Sequence, residues 1–400
     1  MSSTADVVVV GAGALGLSTA LHLALQGRQV VLVERNSAGS QASGRAAGLF
    51  KSIQADEVRT TLARRSIERA LRFEEWAGVP LPVVRSGSLA IARTPEHTGL
   101  LRREVAASRG WGVAVDDLDG PGLAGRSSLY RPTGGEAAWW CPEDVYIEEP
   151  MSLVDAYVAA LRLHGGQVRE GETVVGVEVA AGAVVAVETD RGRITTGTVV
   201  DAAGAWTRPV AALAGAWIPV APVRHQLMIT EPTDAVDPSD PIVRVVDAAV
   251  YLRPARGGLM VGGFEADPLA LPADPPRQTA DVPLDVHVLS AMARSVEQEV
   301  PTATVTRAAE LRGGMFTMSP DGRFVVGPTS VSGLWVASGC NGSGFSSSLG
   351  IGEALAADMV GAPPVADLTS FVPARIAATD DDGLVRAGSW QYAHYYDPAD

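Results

Sequence analysis

DVVVVGAGALGLSTALHLALQGRQVVLVE, residues 6–34, is the stretch that decides the fold. Four valines, Val7 to Val10, run straight into Gly11-Ala12-Gly13-Ala14-Leu15-Gly16. Leu17, Ala20, Leu21, Leu23, Ala24 and Leu25 then recur at helical spacing as far as Gly27, and a second apolar run, Val30 to Val33, ends on Glu34. The pattern is strand, tight turn, helix, strand: one βαβ unit. Gly11 lets the chain turn sharply out of the strand, Gly13 removes a Cβ that would hold the backbone away from a pyrophosphate, and Gly16 lets the helix pack close on the strand. The helix N-terminus faces the phosphates with free N–H groups and a positive dipole end. Glu34 is placed to accept both ribose hydroxyls of an adenosine, and its charge would repel a 2′-phosphate, which argues against NADP. Glycine is abundant, 43 of 400 residues, so the triplet alone says little. Strand before, helix after and acid at the right spacing make it a dinucleotide site.

Arg35 follows, then a loop of small residues from Ser37 to Gly48 in which Ser43, Gly44, Arg45, Ala46 and Gly48 can lie against a flat ligand. Periodicity predicts a helix over 57–77, a strand over 88–92, a helix over 95–109 and a loop rich in Gly and Pro up to Glu149. Pro150 opens a helix over 151–164. A β-meander is expected from strands 167–169, 173–179 (with Val174), 184–189 and 192–195. The apolar run at 199–200 leads through Asp201-Ala202 into Ala203-Gly204-Ala205-Trp206 and reads as a second return to the nucleotide-binding sheet. From 220 to 312 the strands lengthen (224–230, 242–246, 250–253, 258–262), with one helix over 284–300, which suits a separate, mainly antiparallel sheet walling a substrate pocket. Strands at 323–326 and 334–337 and the turn Gly339 to Gly344 then feed a helix over 345–360, a second glycine-rich helix start.

The expected fold is α/β: a discontinuous Rossmann-type domain made of 1–85, 145–215 and 325–378, a second, mainly antiparallel β-sheet substrate domain made of 86–144 and 216–324, and a tail, 379–400. With 46% hydrophobic and 20% charged residues the chain can bury a large core. A net charge of −14 argues against nucleic acid or an anionic membrane as partner. Cys141 and Cys340 form neither a disulfide framework nor a zinc ligand set, so no metal is expected and a cytoplasmic location is. The first strand begins within six residues of the start, leaving no room for a signal peptide, and no segment offers 18 uninterrupted apolar residues. Lys51 is the only lysine.

The βαβ unit through Glu34, Val200 to Trp206, Ser319-Pro320-Asp321-Gly322 and the Gly339 to Gly344 turn with its helix together resemble the FAD-dependent family of D-amino-acid oxidase, glycine oxidase and sarcosine or dimethylglycine oxidoreductases. The resemblance covers roughly residues 6 to 375. Arg224-His225-Gln226, Tyr251-Leu252-Arg253-Pro254 and Gly258 to Gly263 are similar to the sarcosine and dimethylglycine branch. Members of that branch carry a C-terminal folate-binding module, which is expected to be absent from a chain ending at Asp400. The resemblance implies FAD, held by Gly11, Gly13, Ala14, Leu15, Gly16, Glu34, Arg35, Ser43 to Ala46, Gly48, Val174, Ala203, Gly204, Trp206 and Gly342 to Ser346. The branch often attaches its flavin through a histidine where this chain has Arg45, and monomeric sarcosine oxidases through a cysteine where it has Gly314, so non-covalent FAD is expected. Ser346 stands where some sarcosine oxidases have a lysine that promotes reaction with oxygen, and Lys51 could substitute.

The chemistry implied is oxidation of the C–N bond of an amino acid or N-methylated amine to an imine, followed by hydrolysis, with oxygen as acceptor. Such a site must hold the C–H bond against the flavin, favour the neutral amine and fix any carboxylate with a cation. Arg312 is the first candidate for that clamp, because its planar fork can bind two oxygens. Tyr251 and Arg253 alternate on one strand and so share a face. His225 can bind substrate or tune amine protonation, and Lys51 can contact flavin or carboxylate. The alternatives are a dehydrogenase subunit passing electrons to a protein partner, an NAD-dependent dehydrogenase, which would leave Ser319 to Gly322 and the late glycine turn unexplained, and an inactive flavin-binding protein.

Overall fold

The computed structural model describes residues 2–396. Its centre is a six-stranded sheet in the spatial order Val325–Pro328, Leu334–Ser338, Val199–Asp201, Val7–Val10, Val30–Glu34, Gln167–Glu170, parallel except for the first pair. The valines of the opening strand show why it is central. Alternate side chains leave opposite faces of a strand. Val7 and Val9 accordingly enter a core under the helices, while Val8 and Val10 enter a second core on the other face. The helices Ala14–Leu25, Glu57–Leu71, Met151–Leu163 and Ser348–Val360 pack over the first face. A four-stranded sheet holding Val174–Ala180, Ala183–Thr189 and Gly192–Thr195 contributes to the second. Gly11 has φ +105°, and a Cβ on Gly16 would sit 2.1 Å from the Gly11 carbonyl oxygen, so the close helix–strand approach does require glycine.

An eight-stranded sheet lies beside this layer, in the order Ala308–Met318, Ala221–Thr230, Gly258–Gly263, Val250–Ala255, Ile242–Val245, Ser88–Ala92, Ala137–Cys141, Asp116–Leu118. Every neighbouring pair is antiparallel except Ile242–Val245 with Ser88–Ala92.

Several expectations are corrected. Gln167–Glu170 is the edge of the central sheet, parallel to Val30–Glu34, and does not belong to the meander. The helix expected over 57–77 breaks at Arg72 into Glu57–Leu71 and Phe73–Ala77. The stretch read as a loop before Glu149 contains a helix, Gly120–Arg126, and the strands Ala137–Cys141 and Val145–Tyr146. The helix expected over 284–300 is regular only over Val286–Arg294. The helix expected from 345 starts at Ser348. The tail forms a helix, Asp381–Ala393, packed on the strands Ala221–Thr230 and Ala308–Met318.

Candidate active site

A cleft of two joined lobes runs between the sheets. Gly13, Ala42, Ser43, Ala202, Gly204 and Met315 line both lobes. The first lobe lies at the carboxyl ends of the central strands, where open α/β sheets take their ligands. Gly11, Glu34, Arg35, Val174, Ala203 and Trp206 line it. Glu34 accepts from the Ala12 and Asn36 backbone N–H groups at 2.9 and 2.8 Å, which fixes the carboxylate and leaves lone pairs for hydroxyl donors. The Arg35 guanidinium lies 4.0 Å over the Trp206 ring. Ser43 Oγ accepts from Ala14 N at 2.9 Å and so ties the small-residue loop to the helix start.

The second lobe is lined by Ala14, Leu15, Arg45, Ala46 and Gly48 and, on the opposite wall, by Gly342 to Ser346. Gly16 and Gly44 do not reach the cleft: Gly16 packs under Gly11, and Gly44 against Met151 and the Gly39 carbonyl. Among the residues lining this lobe the charged ones are all cations, Arg45, Lys51, Arg244 and Arg312, in a chain of net charge −14.

The pairing register explains how the remaining groups meet. Arg312, Leu227, Gly262, Tyr251 and Arg244 stand directly opposite one another on five successive strands, so they share one face of the sheet. At roughly 4.8 Å per strand this rung spans about 19 Å between its two arginines. Gly262 is the gap in it: a Cβ there would lie 2.4 Å from Tyr251 Oη, so the phenol lies across the glycine. Tyr251 thereby reaches His225, with Oη 2.8 Å from Nε2. The His225 ring stacks on Phe316 at 4.2 Å, and burial pushes its pKa down to about 3, so the imidazole is neutral.

Each candidate cation has a distinct situation. Arg312 is 6% exposed, donates from Nε to Glu310 at 2.5 Å and lies 3.6 Å from Glu149, yet Nη1 is buried without a partner. Arg253 is fully buried and does not line the cleft. Its donors go to the carbonyls of Ala47, Glu148 and Pro254 and its face to the Tyr146 ring, so it braces the loop behind the cleft. Lys51 lines the second lobe with its ammonium 5.6 Å from the Tyr396 ring, and no carboxylate among the described residues pairs with it.

Sequence reasoning missed Arg244. It donates to Ser88 Oγ and to the buried Asp144 at 2.8 and 3.0 Å and keeps a buried, unpartnered Nη2. The available signal was one arginine inside the apolar run Ile242 to Val246. The tail's Tyr395 and Tyr396, which close the second lobe, were also missed as site residues. Trp139 and Trp140 are packing: Trp139 bonds Asp117, and Arg126 lies over Trp140.

A buried donor without a partner that lines a cleft is available to a ligand there. Trp206 Nε1 and Thr279 Oγ1 are such atoms in the first lobe, and Arg312 Nη1 and Arg244 Nη2 in the second. An elongated groove with a helix start at its middle, a carboxylate at one end and guanidinium groups with unpartnered N–H donors at the other fits a dinucleotide whose reactive end lies beside a small anionic or acceptor-bearing substrate. The fold and cleft thus define a dinucleotide-binding protein of the oxidoreductase type. The chain belongs to the FAD dependent oxidoreductase family, whose model matches residues 6–358. It is similar to 4-methylaminobutanoate oxidase (formaldehyde-forming) of Paenarthrobacter nicotinovorans, 31% identical over 363 residues, which covers 89% of this chain and 44% of that protein. It is also similar to the mitochondrial sarcosine dehydrogenase of Mus musculus, 29% identical over 413 residues, covering 99% of this chain and 44% of that protein. The chain therefore spans less than half the length of these relatives. The structure of L-proline dehydrogenase from P. horikoshii superposes with a TM-score of 0.85 at 22% identity, over 94% of this chain and 98% of that one, a likeness of fold. Among the described residues no helix is long and apolar enough to cross a membrane.

Proposed function

We propose that the protein oxidises the C–N bond of a small amino acid or N-methylated amine to an imine, which water hydrolyses, with FAD held non-covalently and oxygen as the final acceptor. The observation that carries this reading is the rung of the eight-stranded sheet, which sets the Tyr251–His225 pair between two guanidinium groups with unpartnered N–H donors, in a lobe continuous with the dinucleotide groove.

When bound, FAD supplies the two-electron acceptor. The protein's own groups hold and desolvate the substrate. A neutral amine suits the Tyr251–His225 pair, since a cationic imidazole is excluded by burial and an ammonium would face a lobe lined by cations. Arg312 Nη1 is available for one carboxylate oxygen, and its two acidic neighbours hold the fork in place. Arg45 and Gly314 both line the second lobe, and neither can form the covalent flavin link of the relatives' branch, which supports non-covalent FAD. Lys51, a compact charge in the same lobe, is the group we assign to promoting the oxygen reaction.

The domain division expected from the sequence is retained as part of this reading, because strands from 88–141 and 221–318 share one sheet and those at 7–10, 30–34, 167–170, 199–201 and 325–338 share the other. Two free cysteines support a cytoplasmic setting. A dehydrogenase delivering electrons to a protein partner is the second reading, favoured by the dehydrogenase among the relatives.

The test is a panel of N-methylated and primary amino acids assayed for peroxide and aldehyde or keto-acid release, with the flavin afterwards released by acid. Peroxide in proportion to carbonyl product, and all of the FAD in the acid supernatant, are expected. Carbonyl product formed only with an artificial dye would favour the dehydrogenase, and flavin left in the pellet would overturn the non-covalent assignment.

A further inference from the structure

The C-terminal helix Asp381–Ala393 lies outside the 6–358 family match, and the chemistry proposed above gives it no part. Asp380 caps it by accepting from Gly383 N at 2.7 Å. Gly388 lets it approach the eight-stranded sheet closely, for a Cβ there would be 3.2 Å from the Met318 Cβ and 3.3 Å from that of Ala221. This approach delivers Tyr392, fully buried, to the rear of His225, with Oη 2.8 Å from Nδ1. Tyr251 stands on the other ring nitrogen at 2.8 Å. Phe264 and Phe316 close the sides of the ring.

A neutral imidazole accepts at one nitrogen and donates at the other, so the chain Tyr392–His225–Tyr251 has a direction. Neither hydroxyl meets an acceptor besides the His225 ring among the described residues, but Tyr251 lines the cleft, where a ligand can take its proton, and the buried Tyr392 does not. Leaving a buried O–H undonated is the more costly arrangement. Tyr392 therefore donates to Nδ1, Nε2 carries the ring proton and donates to Tyr251, and the Tyr251 proton is left for the cleft.

We propose that Tyr392 is a positioning residue of the active site: it holds His225 in the Nε2–H tautomer and thereby makes Tyr251 a hydrogen-bond donor towards the substrate. Such a donor suits the lone pair of a neutral amine or a carboxylate oxygen and disfavours an ammonium group. The role rests on the reading of Tyr251 and His225 as substrate-facing groups, and it makes the C-terminal segment a working part of the site.

Two measurements on the FAD-loaded protein test it. The chain has six histidines, so 15N-histidine spectra are tractable, and His225→Gln identifies the signals of His225. A bare, hydrogen-bonded Nδ1 and a protonated Nε2 are expected, with the Nδ1 resonance moving in Tyr392→Phe. A protonated Nδ1 would overturn the proposal. The second measurement is a double-mutant cycle on the rate of anaerobic flavin reduction. Tyr251→Phe and Tyr392→Phe should each slow reduction by about tenfold or more, and the pair should cost much less than the product of the two. Tyr395→Phe, whose hydroxyl meets Ser343 and not His225, should combine independently with Tyr251→Phe. Multiplying effects for Tyr392 and Tyr251 would reduce Tyr392 to packing and overturn the proposal. If no amine reduces the flavin, the proposed function fails, and the His225 tautomer still decides the role of Tyr392.

Discussion

Gly262 shows how a residue without a side chain can shape a site. The Tyr251 phenol fills the place its Cβ would take, 2.4 Å from Oη. Gly262→Ala should push the hydroxyl away from His225 and slow anaerobic flavin reduction at least tenfold, about 1.4 kcal/mol, with FAD content unchanged; an unaltered rate would show that the Tyr251–His225 contact is not used. Arg312→Ala should harm reduction by carboxylate-bearing substrates and leave FAD binding nearly intact, because it removes the one unpartnered donor at that end of the rung. Equal reduction rates in the two proteins would pass the clamp to Arg244 and Lys51. Glu34→Gln should weaken FAD by roughly 1–3 kcal/mol, the worth of hydrogen bonds to a charged group, as read from the FAD dissociation constant. At this scale the glycines and Glu34 were legible, since each does a job fixed by local backbone geometry. Arg244 was not, and Arg253 was placed wrongly in the pocket, because which arginine keeps a free N–H depends on partners distant in the chain, such as Asp144 and the Ala47 carbonyl.

Among the elements, the opening strand–helix–strand was readable because its apolar spacing and its glycines agree. Gly16→Ala tests that joint: its Cβ would fall 2.1 Å from the Gly11 carbonyl oxygen, with backbone on the other side. Overpacking of this kind costs roughly 1–3 kcal/mol, so a lower melting temperature and weaker FAD retention are expected, and a fully stable, fully loaded variant would contradict the packing role. The strand Ala308–Met318 was not foreseen. Glu310, Arg312 and the pair Gly313-Gly314 interrupt its apolar pattern, and strand propensity disfavours glycine and charge. Its length comes from pairing with Ala221–Thr230 across nearly the whole of both strands, which no local signal reports. The tail helix was hidden for a similar reason: its Tyr392 finds its partners, His225 and Phe264, only in the folded protein.

For the whole molecule, the burial that builds the site also sets its response to acid. Burial lowers the pKa of His22 to about 4 and of His225 to about 3. The unfolded chain takes up these protons near pH 6.5 and the folded one does not, so stability falls as pH drops below that value. Between pH 7.5 and 5 the two histidines together should cost about 4 kcal/mol. Glu353 adds a second, lower window. Burial opposes its charge, but hydrogen bonds from Arg65 and Arg69 overcome this and hold its pKa at about 2, so its contribution is present above about 4.5 and is lost as pH falls towards 2. Urea titrations at pH 7.5 and 5 check the first window, and His225→Gln should flatten the difference by about half; an unchanged midpoint would contradict the neutral, buried imidazole on which the site depends.

The central claim is that the cleft brings an amine-bearing substrate to a bound flavin for oxidation, and single-turnover reduction tests it most directly. The purified FAD-loaded protein would be mixed anaerobically with sarcosine, N,N-dimethylglycine, 4-methylaminobutanoate, proline and glycine, and the oxidised flavin absorbance followed over time. Bleaching by at least one of them, saturating with concentration and slowed in Tyr251→Phe, is the expected result. A flavin that stays oxidised with every one of these compounds, in a protein that binds FAD stoichiometrically, would contradict it.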